Sequence, residues 1–475
     1  MKNKWTWEWL PLTAAAAILS FMLLLKPIVG VADNGDFLRI MGTAGLAYPD
    51  QAEPRADRYF AFMHRQFAFT GLGGGGYVSA EVVLVTAASL IGRWLLGGQL
   101  FDIRILSVVY SILLITAFAI LLRLRLLASP AARIACAAVF LLLFLDVGYT
   151  AYFNSLFGEP MSLVFLLLTL ATALRLAEQR PPRLGALAGF AVAAICLTAA
   201  KLQNAPAGLL LAVLALRLLP LSAAPAWRRF AAAVPALLVL TAGIMYFTAP
   251  AELKTINQYQ AVYYGILKDS PTPEQDLREL GLDPKLADLQ NTNYFMPNTA
   301  IPQQSEELKR TFYPHISHRA IAWFYVTHPA RFWDKLQVTA NNAMTIRPGY
   351  LGNYEKAEGF KRGQLSSSFN IWSELKRRVL PHSLGALLSF GSLYSLVLLA
   401  VRTGARSRSE TAVCETLLCI PLIAAVAFVV PLIGDGEADM EKHLFLFNIC
   451  FDIMVAVSLI WLVHHAVNFL RRRAF

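Results

Sequence analysis

The side chains best suited to chemistry in this 475-residue chain are a few ionisable groups standing where apolar segments end. The stretch "VADNGDFLRI", residues 31–40, follows a long apolar run and sets Asp33 and Asp36 beside a flexible Asn34-Gly35 pair. Glu159 precedes Pro160 in "YFNSLFGEP", Lys201 and Gln203 lie in "KLQNAP", and Lys442 and His443 end "GDGEADMEKH". Ionisable groups at membrane depth or at helix mouths are costly, and a chain that keeps them generally uses them. Carboxylates opposite cations suit a reaction in which an acceptor hydroxyl gives its proton to an acid while a leaving phosphate is stabilised by positive charge. Each residue also has a plain structural role open to it. Asp33 or Asp36 can cap the helix starting at "FLRI", and Glu159 can sit favourably at a helix start. Lys201 can snorkel to headgroups, and Lys442 with His443 can anchor an interface.

Of the chain as a whole, 56% is hydrophobic and only 15% charged, well below the roughly 25% charge of an ordinary soluble domain. The composition is that of a polytopic membrane protein, and the expected fold class is all-α. An excess of 42 Lys and Arg over 31 Asp and Glu raises the question of nucleic acid, but no arginine-rich arm or aromatic platform accompanies it. The basic residues cluster between apolar runs, so no nucleic-acid partner is expected and the lipid bilayer is. The five cysteines all lie inside apolar segments, without metal or redox spacing, and read as small buried hydrophobes. The opening "MKNKWTWEWLPLTAAAAILSFMLLL" reads as a retained first span and not as a cleaved signal.

Runs long enough to cross a hydrocarbon core, which takes roughly 20 helical residues, begin near 10, 103, 130, 160, 184, 205, 229, 383, 412 and 444. An eleventh run, "EVVLVTAASLIGRWLLGG" at 81–98, sets the topology. The basic loops near 123–133, 175–183, 217–229 and 402–410, the terminal "RRRAF" and the basic N-terminus share one side only if 81–98 is not a full crossing. Carrying Glu81, Arg93 and Trp94, it is expected to lie in the outer interface within a large first external loop, 31–102. The alternative is a true span with a re-entrant partner elsewhere. The expected organisation is a seven-span membrane core over 1–249, an external, mostly helical segment over 250–382, and three further spans over 383–475. In "DSPTPEQDLRELGLDPKLADL", Asp269 or Ser270 is expected to cap a helix started by Pro271. "GLGGGG" at 71–76 reads as a hinge or close-approach loop. Asp146 and Asp452 fall inside apolar runs and require partners or a cavity.

With this layout the chain resembles the GT-C superfamily of integral-membrane glycosyltransferases that use lipid-phosphate sugar donors. The resemblance rests on an acidic motif after the first span and on "LFDIRILSVVYSILLITAFAILLRLR" at 100–125, preceded by the interfacial-type segment 81–98. It rests also on "YFNSLFGEPMSLVFLLL" at the mouth of the fourth span and "EKHLFLFN" opening a late helix. "NQYQAVYYGILKDS", "LRELGLDPKLADL" and "ANNAMTIRPGYLGNY" look like the hexose transferases of bacterial S-layer or related cell-surface glycan assembly.

The resemblance implies a GT-C-like fold with about ten transmembrane helices. It implies inverting transfer of a hexose from a polyprenyl-phosphate-linked donor to a glycan acceptor, at the external face of a bacterial cytoplasmic membrane. It matches the catalytic acid to Asp36 or Asp33, the second-loop acid to Glu159, and donor-phosphate binding to Lys201, Lys442 and His443, with Gln203 beside them. Many members carry adjacent acids, whereas "DNGD" separates them by two residues, which leaves open which is the base and whether both share a metal. No cofactor is required by the residues, although Mg²⁺ or Mn²⁺ is compatible with carboxylates. No phosphate-cradling glycine motif appears, as expected if the leaving group is already a lipid phosphate. The alternative class is a transporter or flippase of lipid-linked glycans using the same charges as a vestibule. Paired halves, the usual sign of transporters, are not evident.

Overall fold

The computed structural model describes residues 7–473. The first six residues, with the basic N-terminus, and Ala474–Phe475 lie outside the described residues, as do the side chains of 471–473 in the terminal basic cluster. All ten apolar runs are helical. Among the described residues seven helices are long and apolar enough to cross a membrane: Arg104–Leu122, Glu159–Glu178, Leu202–Leu221, Pro225–Phe247, Leu384–Thr403, Arg408–Asp435 and Phe445–Leu470. An eighth crossing exists if Pro130–Leu143 and Val147–Asn154, bent by 56°, form one span. Trp9–Leu23 and Leu184–Thr198 are apolar but shorter. The chain is a multi-pass, all-α membrane protein.

Helix Glu159–Glu178 is the axis of the bundle. Its apolar window is 94% buried, against 17% for Leu384–Thr403. A helix apolar on every side belongs where protein surrounds it, and this one packs on Arg104–Leu122, Leu184–Thr198 and Arg408–Asp435. The segment 81–98 forms the helix Ala80–Leu96, capped by Ser79, whose hydroxyl accepts from the Val82 amide at 3.2 Å. It is not among the helices that qualify as a span. Glu81 is fully buried and accepts from the Tyr110 hydroxyl, while Trp94 is 82% exposed. One end of this helix is therefore packed on the bundle and the other lies open.

The first loop also contains a small antiparallel sheet of Leu46–Ala47, Gln66–Phe69 and Leu100–Asp102, with Leu46 opposite Phe69 and Phe67 opposite Phe101. Strands of two to four residues carry no readable alternation, so nothing in the sequence announced them. "GLGGGG" is a close-approach loop at one position at least. A Cβ on Gly75 would fall 2.6 Å from the Thr43 hydroxyl, so the run lies directly on helix Phe37–Ala44.

The segment 250–382 holds the helices Ala251–Ala261, Pro273–Glu279, Glu306–Thr311, His318–Thr327, Pro329–Asn342 and Ile371–Val379. The second of these starts at Pro273 and not at Pro271, because the Ser270 hydroxyl is spent on the Thr272 amide and on Asp276. Its hydrophobic residues join the same continuous core as the membrane helices. Asp146 accepts from the amides of Gly148 (2.7 Å) and Ser373 (2.9 Å). Asp452 accepts from Lys376 (2.6 Å), Trp372 (2.8 Å) and Tyr149 (2.5 Å). Both buried acids thus anchor helix Ile371–Val379 to the bundle.

Candidate active site

The loop that leaves the first helix is fixed by its backbone. The Gly30 amide donates to Asn353 O (2.9 Å) and the Ala32 amide to Gly352 O (2.8 Å). Asp33 follows, fully buried. Its Oδ1 accepts from the amides of Gly35 (2.7 Å) and Phe37 (3.1 Å), and its Oδ2 from the Tyr48 hydroxyl (2.5 Å). These bonds satisfy the first turn of helix Phe37–Ala44, which is the work of a cap. Burial raises the Asp33 carboxyl above its usual range despite them.

Asp36 immediately precedes that helix, yet its side chain makes no cap bond. It pairs instead with Arg39, one turn on, and with Lys442. Burial pushes this carboxyl up, but Lys442 and Arg39 together outweigh it and hold Asp36 well below the ordinary carboxylate range. Two acids three residues apart therefore have opposite environments.

Lys442 arrives on the short helix Met440–His443, just after Asp439, whose backbone is left-handed at φ 48°. Its ammonium pairs with Asp36 and with Asp439 (3.1 Å), and lies 4.7 Å from the centroid of the Phe157 ring. The Asn34 amide group donates to Asp439 at 2.9 Å, joining the first loop to the last. The Lys442 side chain is 1% exposed whereas that of Asp36 is 34% exposed, so the lysine lies beneath and the acid opens outward. Burial lowers the Lys442 ammonium, but Asp36, Asp439 and Glu159 more than offset it and hold it above the usual lysine range.

Glu159 and Lys201 form a second pair at 2.5 Å, again with one partner buried and the other partly open. The approach depends on Gly158. A Cβ there would come 2.6 Å from Lys201 Cγ and 2.9 Å from Ala200 O. One carboxylate oxygen each of Glu159 and Asp439 is buried with no hydrogen-bond donor among the described residues. Buried acceptors left open are uncommon and call for an explanation.

His443 and Gln203 meet each other. Gln203 donates to the His443 carbonyl and its Oε1 lies 3.2 Å from His443 Nδ1, while His443 Nε2 pairs with Asp435 at 3.0 Å. Both ring nitrogens of His443 are therefore engaged by protein. Arg39, Asp439, Phe157 and Tyr77 were not singled out from the sequence. The signals available were the three-residue spacings Asp36–Arg39 and Asp439–Lys442, which put each pair on one helical face. The Tyr77 phenol is pushed up to about 12 by burial, with Arg39 opposing and Asp36 adding to the rise.

The carboxylates do not make a cation site in this arrangement. Asp36 and Asp439 are turned to Lys442, and Glu159 to Lys201. Among the described residues no three His, Cys, Asp or Glu side chains converge as ligands.

The profile of the family described as the YfdI N-terminal transmembrane domain matches residues 2–474. The chain belongs to that family. No curated protein matches it. Two solved structures of the oligosaccharyltransferase of Archaeoglobus fulgidus are similar, each at 14% identity. The apo form aligns over 99% of this chain with a TM-score of 0.41. The second, named AglB and solved with an inhibitory peptide and a dolichol-phosphate, aligns over 98% with a TM-score of 0.39. This family member spans about half the length of both, 52% of each.

Proposed function

We propose that this protein is a GT-C-type membrane glycosyltransferase that moves a hexose from a polyprenyl-phosphate-linked donor to a cell-surface glycan acceptor. The reading puts the reaction at the external face of a bacterial cytoplasmic membrane. The observation that carries it is the split environment of the acid pair: Asp33 spends both oxygens on capping, whereas Asp36 opens outward above a buried lysine. Asp36 is the base and Asp33 shapes its loop. In the transfer, the acceptor oxygen forms a bond to the anomeric carbon as its proton passes to Asp36. The bond from that carbon to the phosphate oxygen breaks, and the polyprenyl phosphate leaves with the electron pair. A single displacement inverts the anomeric centre.

Lys442 and Lys201 offset the charge of the departing phosphate through charge-assisted hydrogen bonds. Without donor, Lys442 neutralises Asp36 and keeps it a poor base. A phosphate that draws the ammonium toward itself loosens that pairing, so Asp36 gains basicity when a leaving group is in position. Glu159 holds Lys201, and Gln203 with His443 fixes the turn that carries Lys442. The reading keeps the division into a core over 1–249, an external segment over 250–382 and a closing section over 383–475 that supplies Lys442.

The test is Asp36→Asn in proteoliposomes supplied with polyprenyl-phosphate hexoses and acceptor glycan. Turnover should be lost with the fold intact. Near wild-type turnover would remove Asp36 as the base, and Asp33→Asn alongside separates base from cap.

A further inference from the structure

A cleft of about 560 Å³ opens on the first loop, lined by Arg55, Tyr59, Phe60, Tyr350 and Arg362. That volume is within the range of small-molecule sites, roughly 300–1,000 Å³. Two aromatic side chains stand open on its wall. Phe60 is 47% and Tyr350 40% exposed, and their rings meet edge to face with centroids 6.2 Å apart. Two open aromatic faces side by side offer a flat ring a surface to stack on.

The cleft is also held in a costly conformation. Phe60 has φ 66°, a region that bulky residues avoid. It persists because the neighbouring backbone fixes it on both sides. The Phe60 amide donates to Asp33 O (2.7 Å), and the Gly352 amide donates to Phe60 O (2.9 Å). Gly352 is required there, since a Cβ would lie 2.1 Å from Ala61 O. Strain that the surroundings impose on an exposed aromatic points to a use for its position.

Two arginines give the cleft its charge. Arg362 is tied to Asp57 (2.8 Å) and to the Ala56 carbonyl. Arg55 is exposed and has no ion-pair partner among the described residues. An unpaired guanidinium beside aromatic faces matches a ring whose C–H groups stack on the aromatics and whose carboxylate or phosphate takes the guanidinium fork. The cleft lies against the loop that carries the candidate active site, since the Phe60 amide is bonded to the Asp33 carbonyl, three residues before Asp36.

We propose that this cleft is the acceptor subsite and that it takes a saccharide bearing an anionic group. The proposal rests on the glycosyltransferase reading, of which it names the acceptor class. It assigns stacking to Phe60 and Tyr350 and charge recognition to Arg55, with Arg362 completing the rim.

Binding to the full-length protein in neutral detergent, measured by calorimetry, tests it without turnover. Trigalacturonate should bind at least about tenfold more tightly than maltotriose. Arg55→Ala should remove most of that preference, and Phe60→Ala should weaken both sugars at least about fivefold. Arg55 is exposed, so its variant is expected to fold, with a melting curve as the check. Equal affinity for the two sugars, or variants that bind unchanged, overturns the cleft. Triglutamate binding as tightly as trigalacturonate overturns the saccharide assignment in favour of an acidic peptide. Asp36-dependent transfer without sugar binding here sinks the cleft alone, and sugar binding without transfer sinks the glycosyltransferase reading alone.

Discussion

Replacing Lys442 by Met keeps side-chain length and removes the buried charge. Two carboxylates lose a partner: Asp36 keeps only Arg39, and Asp439 keeps only the Asn34 amide. Breaking a fully buried pair costs about 3–5 kcal/mol. The Asp36 and Asp439 side chains are 34% and 20% exposed, so water takes up part of that, leaving about 2 kcal/mol. The larger effect should be on rate. Removing one preorganised donor from developing charge costs about 10²–10³ in kcat, so turnover of a lipid-linked hexose in proteoliposomes should fall by that factor. Stability should also change its acid limit. The folded Asp36 carboxyl is held below its unfolded range, so its pairing is fully present above roughly pH 4 and is lost only as pH falls through the lower folded value. Without Lys442 that margin contracts, and acid unfolding should begin at higher pH. Lys442→Arg should restore part of the rate. Full turnover by Lys442→Met, with unchanged acid stability, would refute the assignment of Lys442 to both Asp36 and the phosphate.

The other expectations concern neighbouring residues. Burial pushes the Glu81 carboxyl up to about 8, so between its unfolded value and pH 8 the folded protein holds a proton the unfolded chain has lost. Stability must then fall by up to about 1.4 kcal/mol per pH unit over that window. Glu81→Gln should remove the slope in melting curves taken from pH 5 to 9, and an unchanged slope would clear Glu81. Gly158→Ala forces Lys201 away from Glu159 and should raise KM for the lipid donor more than it lowers stability. Asp33→Ala removes two amide bonds at the helix start and should cost about 1–2 kcal/mol in denaturant titrations. Dialysis against EDTA should leave transfer unchanged, since the carboxylates face lysines; loss of activity restored by Mg²⁺ would contradict that arrangement.

The long elements were legible because burial in lipid demands uninterrupted apolar helix, and the run near 160 indeed became the buried axis. Asp36, Glu159, Lys201 and Lys442 were legible for a related reason, the expense of charge at a helix mouth. Their pairings were not. The partner of Asp36 lies 406 residues away, and that of Glu159 lies 42 residues away, with no periodicity linking them. The difference between Asp33 and Asp36 depends on which amides the Asn34-Gly35 turn presents, which residue types do not encode. Asp439 escaped notice because its backbone must turn left-handed before Lys442 can point inward. His443 looked like a phosphate ligand by type, yet its ring is taken up by Asp435 and Gln203.

The span from Asp36 to Lys442 has a consequence during biosynthesis. Ribosomes deliver Asp36 just after the first helix, and its lysine only 406 residues later. Every insertion intermediate that stops short of Lys442 therefore leaves Asp36 to Arg39 alone. The bond between Asp36 and Lys442 is thus a late event of assembly, made only once the helices between them are in place.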